Sequence, residues 1–256
     1  MAFIIASFKS RLTYRSSSLF AAVASVIDIY IKLALWTYIY KNSREMSEYM
    51  IMYTVFSNII SLLYIDRIGQ LLGDKIMDGS ITIDLMKPYH FLYINYMLCL
   101  GELFANFLLK GFPIILFFGS YLSRYCDRIV FEQLPAAILA MVMGHFLYLL
   151  IFAIIGLSAM IFFETWAIQR IVRDVIQFLS GAFIPISLFP NVLFQINRFL
   201  PFRFLFSFPL ELLLNEINLN VQVENFTVLT VWLTFFLILI LLMEKRLMRK
   251  LIIQGG

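Results

Sequence analysis

Few side chains in this 256-residue chain are equipped for chemistry. Asp28 and Lys32 stand four apart in an apolar run, so they share one helical face. A charged pair at that depth either forms a polar patch on a translocation path or dimer seam, or neutralises itself to hold helices together. His145 is a lone imidazole in another apolar run, a hydrogen-bonded packing element or one member of a proton relay. With His90 it completes the histidine complement, too few and too separated for a zinc motif. Cys99 and Cys126 allow at most one bridge. The chain has no G-x-x-x-x-G-K-[ST] phosphate loop, no G-x-S-x-G elbow and no H-E-x-x-H pair. No catalytic residue, bound metal or bound cofactor is expected, and an enzyme is unsupported.

Two longer patterns carry more. In DRIGQLLGDKIMDGSITIDLMKP, residues 66–88, Ile68, Leu71, Leu72 and Ile76 fall on one helical face, with Asp66, Gln70, Asp74 and Lys75 opposite. Asp78-Gly79 signals a turn, and a short alternating run, Ile81 to Leu85, leads to Lys87-Pro88. Such a helix either anchors the loop at the membrane interface or docks a cytoplasmic partner. The second pattern, FIPISLFPNVLFQINRFLPFRFLFSFPLELLLNEI, holds four of the chain's seven prolines. It is too apolar for a solvated loop and too broken for one spanning helix. Broken helices survive at membrane depth where protein or a wet cavity covers the freed polar groups. Short re-entrant helices dipping from the outer side are therefore expected. The nine phenylalanines from Phe178 to Phe208 suit an interfacial belt or an apolar portal, or simply helix packing.

The elements that must position these residues are set by composition. Apolar residues make up 62% of the chain and charged residues 14%, with mean hydropathy +0.88. Soluble domains sit near 45–50% and about 25%, so this composition excludes a water-soluble globule. A helix needs about 20 apolar residues to cross the hydrocarbon. Six spans are expected, at about residues 18–40, 46–65, 107–123, 134–163, 166–188 and 226–243. Glu102 and Lys110 place the stretch before the third at the inner interface, where both can snorkel. Lys9, Arg11 and Arg15 precede an uncleaved anchor. With the N-terminus inside, twelve Lys and Arg fall on cytoplasmic segments against six outside. That ratio puts both termini in the cytoplasm, and the net charge of +4 then says little about nucleic acid.

These pieces resemble the permease subunits of type-2 ABC exporters, closest to the bacterial branch of uncharacterised ABC-2-like permeases. The resemblance rests on six spans, the loop pattern Lys75, Ile76, Gly79, Ile81, Asp84, Leu85, Lys87, Pro88, and the run from Ser180 to Pro209. It covers essentially the whole chain. It implies an all-α integral membrane fold with a single transmembrane domain, a cytoplasmic coupling helix within residues 66–90, and a re-entrant outer segment at 189–215 between helices five and six. Gly73, Asp74, Lys75, Gly79, Asp84, Leu85, Lys87 and Pro88 would couple to an ATPase. Pro185, Phe189, Pro190, Pro201, Phe202 and Pro209 would belong to the exit segment. Two cytoplasmic ATPase subunits would bind the ATP and Mg, and a second permease, identical or a paralogue, would complete the complex in the bacterial cytoplasmic membrane among its lipids. No nucleic acid is implied. Relatives carry a longer N-terminal amphipathic helix, of which residues 1–15 would be a short version. The apolar interior suits a hydrophobic or amphipathic cargo such as a lipid, drug or antimicrobial peptide. The rival readings are a proton-coupled transporter with Asp28, Lys32 and His145 as relay, and a non-transporting scaffold or immunity protein.

Overall fold

A computed structural model of the chain describes residues 4–5, 7–9, 15–162 and 165–255, so the short helix expected at residues 1–15 lies largely outside the described residues. The described residues form helices and no strand. In order they are α1 (Arg15–Ile39), α2 (Arg44–Ser61), α3 (Arg67–Met77), α4 (Ile81–Leu85), α5 (Phe91–Asn106), α6 (Phe112–Arg124), α7 (Leu134–Leu157), α8 (Trp166–Leu179), α9 (Asn191–Asn197), α10 (Ser207–Leu214) and α11 (Leu219–Gly255). The alternating run from Ile81 to Leu85 is wound into α4. A π turn at Phe107–Gly111 joins α5 to α6 in one rod.

Four stretches among the described residues are long and apolar enough to cross a bilayer: Phe20–Ile39, Phe91–Arg124, Phe131–Met160 and Leu219–Arg249. Helices α2 and α8, at the second and fifth expected positions, fall short of that test for different reasons. Helix α2 has 18 residues, and the run from Met50 to Val55 is buried on every side. A helix wrapped in protein has no need of a uniformly apolar surface. Helix α8 has 14 residues and stops at Leu179, nine residues before the expected end, with a polar stripe exposed along it. The rod Phe91–Arg124 is 34 residues long and keeps Glu102 inside it, because Arg67 neutralises that carboxylate at 3.0 Å.

Helix α7 is the hub of the main core. Its Leu147, Phe152 and Ala153 are fully buried with Ile68 and Leu72 of α3, Leu210 and Leu212 of α10, and Leu229 and Ile240 of α11. A second, smaller core joins Ile29 and Leu33 of α1, Ile51 and Val55 of α2, and Ile114 and Phe118 of α6.

The segment after α8 is broken, as its prolines require, and the carbonyls freed in it and at the end of α8 are claimed by side chains. Tyr53 Oη donates to Gly181 O at 2.6 Å, and Ser57 Oγ donates to Ala182 O at 2.7 Å. Asn197 Nδ2 donates to Leu179 O at 2.6 Å, Trp232 Nε1 donates to Phe199 O at 2.9 Å, and Tyr64 Oη donates to Leu205 O. The Ser207 amide closes onto Ser180 O at 3.0 Å. Gly181 holds φ +84°, and a methyl group there would lie 2.9 Å from Tyr53 Oη. Tyr53→Phe leaves a buried carbonyl unpaired while keeping the ring. It is expected to cost about 1–3 kcal/mol, checked by denaturant unfolding of the detergent-solubilised chain. An unchanged midpoint would show that another donor reaches Gly181.

Candidate functional site

The loop between α2 and α5 is built as a rigid unit. Helix α3 buries Ile68 and Leu72, as the periodicity of the sequence demands, and it also buries Gly69 and Gly73 on the same side. A methyl group at Gly156 of α7 would lie 2.6 Å from Gly69 O, and one at Gly69 would lie 2.7 Å from Phe152 O. One at Gly73 would lie 2.8 Å from Thr165 Oγ1. Small residues spaced four apart let two backbones touch, so α3 sits directly on the backbone of α7. The N-terminal end of α3 is tied twice. Asp66 pairs with Arg173 of α8, and Arg67 with Glu102 of α5.

The other end is clamped by one carboxylate. Asp84 of α4 is 3% exposed and accepts from Lys75 Nζ at 2.5 Å and Lys87 Nζ at 2.7 Å. Asn95 of α5, fully buried, completes the knot: its Oδ1 accepts from Lys75 Nζ at 2.8 Å. Its Nδ2 donates to Asp84 Oδ2 at 3.2 Å and to Phe91 O at 2.7 Å. Burial alone would raise the Asp84 pKa, but the hydrogen bonds from Lys75 and Lys87 outweigh it and hold the carboxyl below the usual carboxylate range. Between α3 and α4, Gly79 takes φ +77°, and the Ser80 amide donates to Asp78 Oδ1 at 2.8 Å, which with the Ser80 side chain lowers the Asp78 pKa.

The residues singled out from the sequence therefore divide. Gly73, Lys75 and Asp84 face inward and hold the unit together, with Leu85 half-buried. Asp74, Gly79 and Pro88 are exposed, and Lys87 lies between. The exposed surface of the loop also carries large apolar side chains: Met86 is 87% exposed, and Met77, Ile83 and Tyr89 are exposed as well. Asn95, Gly69 and Gly156 were not singled out. The four-residue spacing of Gly69 and Gly73 was the available signal for α3, whereas nothing near Asn95 marks it out in the sequence.

Elsewhere, Pro185, Pro190 and Pro201 open the short turns Ile186–Leu188, Asn191–Asn197 and Pro201–Phe204, and Pro209 lies in the first turn of α10. Phe189 stacks on Phe178 at 5.5 Å, and Phe202 packs against the main core. Asp28 and Lys32 form the expected pair at 2.6 Å, with Lys32 Nζ 5.0 Å from the Phe183 ring. The pair lines a cleft of about 200 Å³ with Ser57, Asn58 and Gln177. His145 stands apart from it: Nδ1 lies 2.5 Å from Leu63 O and Nε2 3.1 Å from Tyr96 Oη. No hydrogen bond among the described residues joins His145 to Asp28 or Lys32.

Among known proteins, the family model described as ABC-2 family transporter protein matches residues 26–255. No curated protein matches the chain.

Gly156→Ala should invert the usual sign of its substitution. Gly→Ala in a helix ordinarily gains about 0.5–1 kcal/mol, whereas here overpacking against Gly69 O is expected to cost about 1–3 kcal/mol. Denaturant unfolding reads the difference, and a stabilised variant would disprove the backbone contact. Asp84→Asn should cost about 1.5–3 kcal/mol at pH 7. Because the folded pKa is depressed, the Asp84 contribution is complete above the ordinary carboxylate pKa near 4. It disappears as pH falls through the lower folded value. The parent should therefore lose more stability than Asp84→Asn on acidification below about pH 4; parallel acid profiles would contradict the clamp.

Proposed function

The chain belongs to the ABC-2 transporter family, and on that premise we propose that it is the permease subunit of an ABC exporter whose α3–α4 unit couples it to a separate ATPase. It is a multi-pass membrane protein. The observation that carries the coupling reading is the clamped loop itself. A merely anchoring helix would lay its apolar face on lipid, but α3 spends that face on α7. Among the side chains the unit leaves outside are Met77, Ile83, Met86 and Tyr89. Methionine and aromatic side chains are enriched in the cores of protein interfaces. The ATP and Mg belong in this reading to the partner.

In the complex, α2 and α8 would cross with the four long helices, α2 sheathed by its own chain. Helix α8 exposes Arg170, Asp174 and Gln177 on one stripe. Polar groups at bilayer depth face protein or a water-filled path, which supports a second permease, identical or a paralogue, opposite this stripe. The Asp28–Lys32 cleft with its aromatic wall of Phe183 and Phe206 supports an amphipathic cargo. The broken segment from Phe189 to Leu214 would then form re-entrant helices at the outer exit, with both termini in the cytoplasm.

Purification of the full chain from its native membrane in mild detergent should recover a Walker-type ATPase. Met86→Glu with Ile83→Glu should reduce that recovery at least about tenfold, a loss of about 1.4 kcal/mol or more, while leaving the unfolding midpoint unchanged. Full recovery with the double variant would move the docking surface elsewhere.

A further inference from the structure

The rod from Phe91 to Arg124 is continuous in backbone and divided in packing. Its first half, α5, contributes Phe91 and Cys99 to the main core around α7. Its second half, α6, places its buried Ile114 and Phe118 in the smaller core with α1 and one side of α2, although Leu122 near its end also touches the main core, to which α2 gives Met52, Tyr53 and Ile60. The division falls at the π turn Phe107–Gly111, where the Phe112 amide donates to Phe107 O, five residues back. Pro113 follows directly. It has no amide hydrogen, and its ring crowds the carbonyl four residues before it. A regular α-turn cannot close there. Asn106 Oδ1, at the start of the turn, is buried without a hydrogen-bond partner among the described residues, a cost held in this register. Gly111 seats the turn against the end of α2, where a methyl group would lie 3.1 Å from Leu62 Cδ1.

The same rod begins beside the clamp. Asn95 stands one turn into α5 and bonds both Lys75 of α3 and Asp84 of α4. We propose that the π turn Phe107–Gly111 is a hinge between two rigid half-rods, and that Asn95 is the positioning residue that fastens the α3–α4 unit to the first of them. Movement of that unit then swings α5 as a lever, and the hinge decides how much of that swing reaches α6 and the α1 helix packed on it. π turns inside long helices gather at functional sites and at kinks, where the regular hydrogen-bond ladder is interrupted. What drives the lever rests on the coupling reading; the hinge itself does not.

The test uses the full chain in lipid nanodiscs, in a Cys126→Ser background with buried Cys99 retained, and spin labels on cysteines placed at exposed positions. A pair at Met86 and Tyr93 reports the clamp, and a pair at Tyr93 and Leu116 spans the hinge. The expected distance distribution is at least twice as broad for the second pair as for the first. Pro113→Leu restores the missing amide and should narrow the second at least twofold. Asn95→Leu should broaden the first and leave the second unchanged. Equal widths for the two pairs in the parent would overturn the hinge without recourse to any variant. An unaltered Met86–Tyr93 distribution in Asn95→Leu would overturn the role of Asn95. These distances need no ATPase, so a failure of the partner to co-purify would count against the coupling reading alone.

Discussion

Every peptide group in a hydrocarbon environment must find its hydrogen bond within the protein, because no water is there to supply one. That constraint governs this structure more than any single apolar contact. The long helices meet it internally. The proline-broken stretch after α8 cannot, and it is habitable only because Tyr53, Ser57, Tyr64, Asn197 and Trp232 bring donors to its carbonyls. Three of those five donors lie on or just past α2, the helix that the rest of the chain encloses. Its hydroxyls serve the interior, which is why its composition reads as too polar for lipid.

A similar economy runs through the loop unit. Lys75 and Asp84 turn inward while Met77, Ile83, Met86 and Tyr89 stay exposed beside Asp74 and Asp78, a mixture that a solvated loop would not show. One carboxylate, Asp84, answers two lysines and one amide, so three helices meet at a single side chain. At the opposite end the glycines of α3 and α7 bring backbone against backbone. Between the two, α3 and α4 are held at both ends, at one of them by the start of α5.

How much of this was legible in the sequence depends on whether a signal is local. Period and composition marked the long apolar helices, the apolar face of α3 and the turn at Gly79, since those depend on neighbours within a few residues. Proline spacing likewise announced a broken segment. Periodicity did not reveal that α8 would stop at Leu179, because its end is set by Tyr53 and Ser207 reaching the backbone at Gly181 and Ser180. Nor did it separate exposed residues from clamp residues: Lys75 and Asp84 look like surface charges until Asn95, eleven residues beyond Asp84, closes around them. Gly156 is one small residue in a run of large ones, and its meaning lies wholly in Gly69. The family match covers residues 26–255, which agrees with the extent of the resemblance read from the loop and the proline-rich run.

The hub position of α7 bears on how the chain is made. Ribosomes deliver α7 to the membrane long before α11, yet Leu229 and Ile240 of that last helix lie in the core built around α7. Until residue 240 has been synthesised, one flank of the hub stands open to lipid or to the insertion machinery. Long-range contacts of this kind are closed late, after the entropy of the intervening chain has been overcome. Assembly therefore has a stage in which α7 is in place with its core still incomplete, and the final helix is the latch that ends it.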